Sequence, residues 1–368
     1  MDSQAVVIIA ASGRALAASA RRGGYLPLVI DWFGDADTLA LSAAHGCLED
    51  GLARGMTAGA LDVAMSAVTS GYRPLGIVCG TGFEDRPELL EHLAQYGRIF
   101  GSSAATVRRV KDPEAFASLC RDCAVPHPEI SRARPSDTAG WLAKRTGGAG
   151  GSHVVAAETR DAANFYYQRH VPGEPVSALF VSDGKRALVL GFSAQWASPA
   201  PHQLYRYGGA IRPALLPENI SGLLEDVVRK IARAIPLHGL CSADFLVDGD
   251  DFRLLEVNPR PGATLDIFEA PRSSLFALHM AACAGELAAQ APSLAGSSAT
   301  AIAYGKHDMH VPAFDWPEWS ADRPHAGTLV KEGEPLCTVR ATATGHAESR
   351  ALIEQRLEMI LARTHARM

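Results

Sequence analysis

One hairpin constrains this 368-residue chain more than any other stretch. Residues 242–258, SADFLVDGDDFRLLEVN, alternate about Asp248-Gly249-Asp250, and an Asp-Gly turn between alternating runs signals two antiparallel strands. The second strand runs into LLEVNPRPG, where Glu256, Asn258 and Arg260 take every second position. Alternate side chains of an extended chain leave on one face, so a carboxylate, an amide and a guanidinium line up. Asp244, at the end of the partner strand, can be returned beside Glu256 by hairpin pairing, with the register left open by the sequence. Glu256 and Asn258 are hard oxygen ligands of the kind magnesium takes alongside substrate phosphates, and Arg260 offers a fork to a phosphate or carboxylate. A solvated strand end explains each residue singly but their combination poorly.

The chain before this hairpin changes texture near residue 102. AVVIIA (5–10), YLPLVIDWFGD (25–35) and LGIVCG (75–80) read as strands separated by helical stretches, the second through 50–70 and another from Arg86 to Gln95. Residues 1–102 therefore form a parallel α/β domain. Its first loop holds only Gly13 where a dinucleotide fingerprint needs three spaced glycines. Residues 103–298 read as α+β, with a helix near 111–123, a strand at 140–146, a hairpin over 176–196 about Asp183-Gly184 and a helix at 218–235. An Ala, Ser, Pro and Gly-rich loop is expected at 288–300. Residues 299–368 form a β-rich C-terminal unit with two short strands and a terminal helix at 346–363. Trp316 and Trp319 are expected to anchor that unit on the core.

A net charge of -5 with scattered basic residues gives no footprint for nucleic acid. No apolar run reaches membrane-span length, and the apolar start lacks the positive flank of a signal peptide, so a cytoplasmic protein is expected. Seven cysteines read as reduced thiols; Cys120 and Cys123 form a CxxC without a second ligand pair, and a structural role is the expectation. His307 and His310 are read as surface-loop residues for the same reason.

WLAKRTGGAGGSHV (141–154) sends Lys144 from an apolar strand into four glycines and a serine. Glycine lets backbone N–H groups approach phosphate oxygens, although the order of residues is not that of a Walker A loop, and a flexible hairpin would look the same in isolation. Taken in sequence, VKDPEAF with Lys111, K-x-x-GGAGGS, Q-R-H-V-P-G-E-P-V-S, D-F-L-V-D-G and E-V-N-P-R-P-G resemble the ATP-grasp superfamily of carboxylate-amine ligases.

The resemblance implies an ATP-grasp fold, α/β and α+β, with a Rossmann-like N-terminal domain. It divides the central region into a nucleotide lid over about 103–170 and a metal and phosphate subdomain over 171–298. It implies ATP and Mg2+, or Mn2+ in its place. Lys111 and Lys144 then match the two phosphate-binding lysines, and Gly147, Gly148, Gly150, Gly151 and Ser152 the loop that closes over the phosphates. Gln168, His170 and Val171 match the adenine hinge and Glu174 the ribose-binding acid. Asp244, Glu256 and Asn258 match the magnesium ligands, with Arg260, Lys144 and Arg212 on the catalytic side. Substrate contacts are expected from Arg206 and Arg212, in the loop 195–213, from Asp266 with Glu269, and from Glu84 with Gly80 and Gly82. The implied reaction joins a small-molecule carboxylate to an amine through an acyl phosphate. The subgroup it points to assembles methylofuran and tetrahydromethanopterin one-carbon cofactors, joining glutamate to an aromatic amine or a glutamate chain. A homodimer is implied at the level of the family. A nucleotide-binding regulatory protein without ligase chemistry and a biotin-carboxylase-like enzyme activating bicarbonate are the competing readings.

Overall fold

The computed structural model describes residues 4–159 and 164–365. In the N-terminal part, β1 (Gln4–Ile9), β2 (Tyr25–Asp31), β3 (Ala44–Cys47), β4 (Ile77–Cys79) and β5 (Ile99–Phe100) form a parallel sheet. Its order is β3-β2-β1-β4-β5. The apolar runs of β1 and β2 are buried, as strands covered on both faces require. The strand β3 and the helix Ala36–Leu41 were not legible, because AHGC contains no β-branched residue. The helical region expected through 50–70 is two helices, Gly51–Arg54 and Ala58–Val68, parted at Gly55, whose φ of 68° ends the first turn.

The helix expected near 111–123 is Pro113–Asp122, and a helix that was not expected, Ala104–Lys111, precedes it. Ala104–Lys111 ends where Asp112 caps Pro113–Asp122, its side chain accepting from the Ala115 amide at 2.9 Å, with Pro113 at the favoured first position. Lys111 is thus the last residue of a helix, and it projects from that end. Beyond it a four-stranded sheet holds β6 (Ile130–Ser131), β7 (Trp141–Arg145), β8 (Val154–Ala156) and β9 (Phe165–Arg169) in the order β6-β9-β7-β8.

The remaining strands are β10 (Glu174–Asp183), β11 (Ala187–Ala197), β12 (Tyr207–Arg212), β13 (His238–Asp248), β14 (Asp251–Asn258), β15 (Ser297–Tyr304), β16 (Met309–His310), β17 (Ser320–Ala321), β18 (Leu329–Val330) and β19 (Pro335–Ala343). Eight of them make one antiparallel sheet, β14-β13-β10-β11-β12-β15-β19-β17. The strand β15 begins inside the stretch expected as a loop, and the C-terminal strands continue the central sheet. The amphipathic helix Glu218–Ala234 buries Ile220, Leu224, Val227, Val228 and Ile231, which join the apolar cluster of β10, β13 and β14. Trp316 and Trp319 pack on the cluster under the C-terminal helix His346–His365. No helix among the described residues is long and apolar enough to cross a membrane.

Arg14, 5% exposed at the start of the helix Arg14–Arg22, ties three distant parts of the chain together. Its guanidinium grips both carboxylate oxygens of Asp266 and also donates to Asp322 at 3.2 Å. Removing one partner of a buried ion pair leaves the other charge uncompensated. Arg14→Ala is therefore expected to cost about 3–5 kcal/mol, read as a lower midpoint in urea unfolding; a cost within experimental error would show that the triad does not hold these segments.

Candidate active site

The β13 and β14 register places Asp244 opposite Glu256 and Ser242 opposite Asn258. On the other side of β13, Ser177 of β10 faces Asp244 and its hydroxyl donates to Asp244 Oδ1 at 2.5 Å. The Asn258 amide donates to Asp244 Oδ2 at 2.9 Å. Lys111, 9% exposed, extends its ammonium to Glu256 Oε2 at 2.9 Å and Asn258 Oδ1 at 2.6 Å. Lys144 on β7 donates to Gln168 Oε1 on β9 at 2.5 Å. All of these side chains line a cleft of about 1080 Å³ between the two sheets, together with Gly147, Gly148, Gly150, Gly151, Ser152, His170, Val171 and Arg260.

Electrostatics divide the facing acids. Burial alone would raise the Glu256 carboxyl, but Lys111, by charge and hydrogen bond, with Lys144 and His153, holds it well below the usual range. Burial and then the Glu256 charge push Asp244 up, against Ser177, Lys111 and Arg260. Burial lowers Lys144. Two carboxylates and an amide oxygen on one face suit a hard cation; among the described residues no three His, Cys, Asp or Glu side chains cluster as metal ligands, so the amide completes the set. Lys111 already uses two of these oxygens, so a cation bound there requires its ammonium to turn away into the cleft.

The glycine loop joining β7 to β8 lies across the cleft. Gly147, Gly150 and Gly151 have φ near +70°, a region that disfavours side chains. The Gly150 carbonyl accepts from Tyr207 N–H at 2.9 Å, a Cβ on Gly151 would strike the Tyr205 carbonyl, and one on Gly147 would lie 2.6 Å from Asp85 Cα. The loop is thus closed against both β12 and the N-terminal part.

Other expected residues fall elsewhere. Arg212 does not reach the cleft: its guanidinium donates to the carbonyls of Ile267, Ala295 and Gly296. Asp266 is spent on Arg14, and Glu269 accepts from Arg22 and from Leu275 N–H. Glu174 starts β10 exposed, outside the cleft wall. Glu84 is turned inward, accepting from the amides of Gly82 and Phe83 and from Arg260 Nε at 2.6 Å. It braces Arg260 instead of meeting a substrate. Arg206 does line the cleft, stacked 3.7 Å above the Tyr304 ring and bonded to the carbonyls of Ser198 and Gly333. Cys120 is buried in its helix with its thiol pushed up to about 12 by burial. Sequence reasoning missed Ser177, a role visible only from the β10 and β13 pairing, and Tyr207, whose buried hydroxyl has no hydrogen-bond partner among the described residues.

Residues 114–264 match the family described as the ATP-grasp domain. The chain contains an ATP-grasp domain. It superposes on biotin carboxylase from Campylobacter jejuni with a TM-score of 0.70 and 16% identity, covering 96% of this chain and 90% of that one. It matches N5-carboxyaminoimidazole synthetase of Staphylococcus aureus complexed with ADP with a TM-score of 0.68 and 15% identity, covering 96% and 97%. In sequence it is 23% identical over 219 residues to the carbamoyl phosphate synthase large chain of Rubrobacter xylanophilus, a match covering 52% of this chain and 21% of that protein. The chain thus spans about a fifth of the length of that relative.

Within this domain, Gly151→Ala should hold the loop off Tyr205. Backbone strain on the order of 1–3 kcal/mol is expected to weaken Mg-ADP binding by about tenfold in titration calorimetry and to lower the thermal midpoint of the free protein, whose closed loop carries the same clash. Wild-type affinity in this variant would mean that the loop does not close on nucleotide.

Proposed function

We propose that the protein is an ATP-dependent ligase that joins a carboxylate to an amine through an acyl phosphate. What carries the reading is one convergence: Asp244, Glu256, Asn258, Lys111 and Lys144 in a single cleft under a glycine loop. Phosphoryl transfer asks of a protein mainly positioning and neutralisation of charge, and these residues are suited to both.

In the proposed reaction a carboxylate oxygen of the substrate bonds to the γ-phosphorus of ATP, and ADP leaves with the electrons of the broken P–O bond. The amine nitrogen then attacks the acyl carbon, phosphate departs, and the amine gives up a proton. Lys144 and Lys111 would meet the phosphate oxygens, the second by turning from Glu256 and Asn258. Asp244, Glu256 and Asn258 would hold magnesium, which when bound neutralises phosphate charge. Arg260, oriented by Glu84, would stabilise the transferring group, and Gln168, His170 and Val171 would receive the base. Water must be kept from an acyl phosphate, and the closed glycine loop suits that task.

Glutamate with an aromatic amine or a glutamate chain, the pair implied by the sequence resemblance, is the first to test. The experiment measures ADP release from Mg-ATP with that pair, then with pooled carboxylates and amines, and separately with bicarbonate. Turnover requiring both a carboxylate and an amine, and falling by at least about a hundredfold in Glu256→Ala, as when a group stabilising transition-state charge is lost, is the expected outcome. Stimulation by bicarbonate alone would replace the ligase with the bicarbonate-activating reading. No stimulation by any pool, with nucleotide binding unchanged in Glu256→Ala, would overturn the proposal.

A further inference from the structure

Asp35 and Asp322 line the cleft with the charges of Asp31 and Asp37 close to Asp35, and these acids are not equivalent. Asp31 accepts from the amides of Gly13 and Gly34 and pairs with His45, all at 3.0 Å. Asp37 accepts the amides of Asp322 and Arg323 at 2.9 Å. Asp322 takes Arg14 and the Ser12 hydroxyl, and Asp266 takes Arg14. Asp35 has no such partner among the described residues. It precedes the helix Ala36–Leu41 without capping it, it is only 5% exposed, and it lines the cleft.

A buried carboxyl without a partner is costly, and an acceptor left open in a substrate cleft is matched by a ligand that brings a donor. Anionic ligands are disfavoured there by Asp322, Asp31 and Asp37, which are not fully offset by Arg14. Phe33 and Leu52 line the same cleft and are partly exposed, which gives a cationic head an apolar wall to rest on. We propose that Asp35 recognises a cationic nitrogen, a protonated amine or guanidinium, on the amine co-substrate. This rests on the ligase reading, since it assigns the second substrate of that reaction.

The surroundings of Asp35 also set its protonation. Burial first, then the charges of Asp322, Asp31 and Asp37, raise its carboxyl to about 8, with Arg14 opposing. A raised folded-state value means that stability present at low pH is lost as pH climbs towards 8. Asp35→Asn is therefore expected to match or exceed the wild-type thermal midpoint, with a margin that grows from pH 5 to pH 8. A purely structural Asp35 would give the opposite result, a lower midpoint.

The test is titration calorimetry at about pH 8.5, above the value to which Asp35 is raised, on the full chain with saturating Mg-ADP, comparing 1,4-diaminobutane with 1,4-butanediol, L-arginine with L-citrulline, and benzylamine with benzyl alcohol. At least one cation should bind wild type about tenfold more tightly than its neutral counterpart, as a charge-assisted hydrogen bond supplies. Asp35→Asn should erase that preference while keeping its Mg-ADP affinity. Equal binding of cations and neutral counterparts, or a preference that survives in Asp35→Asn, would overturn the proposal. Loss of Mg-ADP binding in wild type would instead sink the ligase reading, and the same cation comparison on nucleotide-free protein would still decide the role of Asp35.

Discussion

Two carboxylates facing each other across paired strands repel, and the active cleft depends on how Asp244 and Glu256 are compensated. The compensation comes from four directions: the Lys111 ammonium, the Asn258 amide, the Ser177 hydroxyl and the charge of Lys144. Each arrives from a different element. The helix Ala104–Lys111 must end where it does, β10 must hold its register on β13, and the four-stranded sheet that carries Lys144 must face β14. In this way a local electrostatic problem constrains the relative placement of three parts of the chain.

The same compensation makes the site convertible. Lys111 occupies the oxygens of Glu256 and Asn258 that a hard cation would take, so the residues hold their geometry with an internal cation in place. Exchange of that ammonium for a divalent metal would add one positive charge, which phosphate oxygens would offset, and would free a lysine to meet them. The other half of the cleft is organised by Arg14, whose pairing with Asp266 and Asp322 joins the N-terminal part to β17 and to the helix Leu265–Phe268. Glu84 and Arg260 make a second such link at the exit of β14. This part of the protein is therefore built from contacts between residues separated by more than 150 positions in the chain.

What the sequence disclosed follows from the range of the interactions involved. The alternation at Glu256, Asn258 and Arg260 is a property of one strand, and the Asp-Gly turn brings Asp244 opposite Glu256 within a single hairpin, so both were legible. The parallel N-terminal strands were legible because burial on both faces writes itself as unbroken apolar runs. Arg212, Asp266 and Glu84 were misread because a charged residue near a binding loop looks the same whether it meets a ligand or a distant backbone carbonyl. Asp35 was invisible for the converse reason: its significance lies in what its neighbours already bind. Glu174 was assigned by resemblance alone, and the strand it begins turns it to solvent.

Mg2+ linkage tests the cation site most directly. ADP affinity measured by calorimetry with and without Mg2+ should rise by about tenfold or more with the metal in wild type, as a charge-assisted contact to the phosphates requires. In Glu256→Gln that gain should be largely lost, with metal-free ADP binding retained. An equal Mg2+ gain in both proteins would contradict the assignment of Asp244, Glu256 and Asn258 as the cation site.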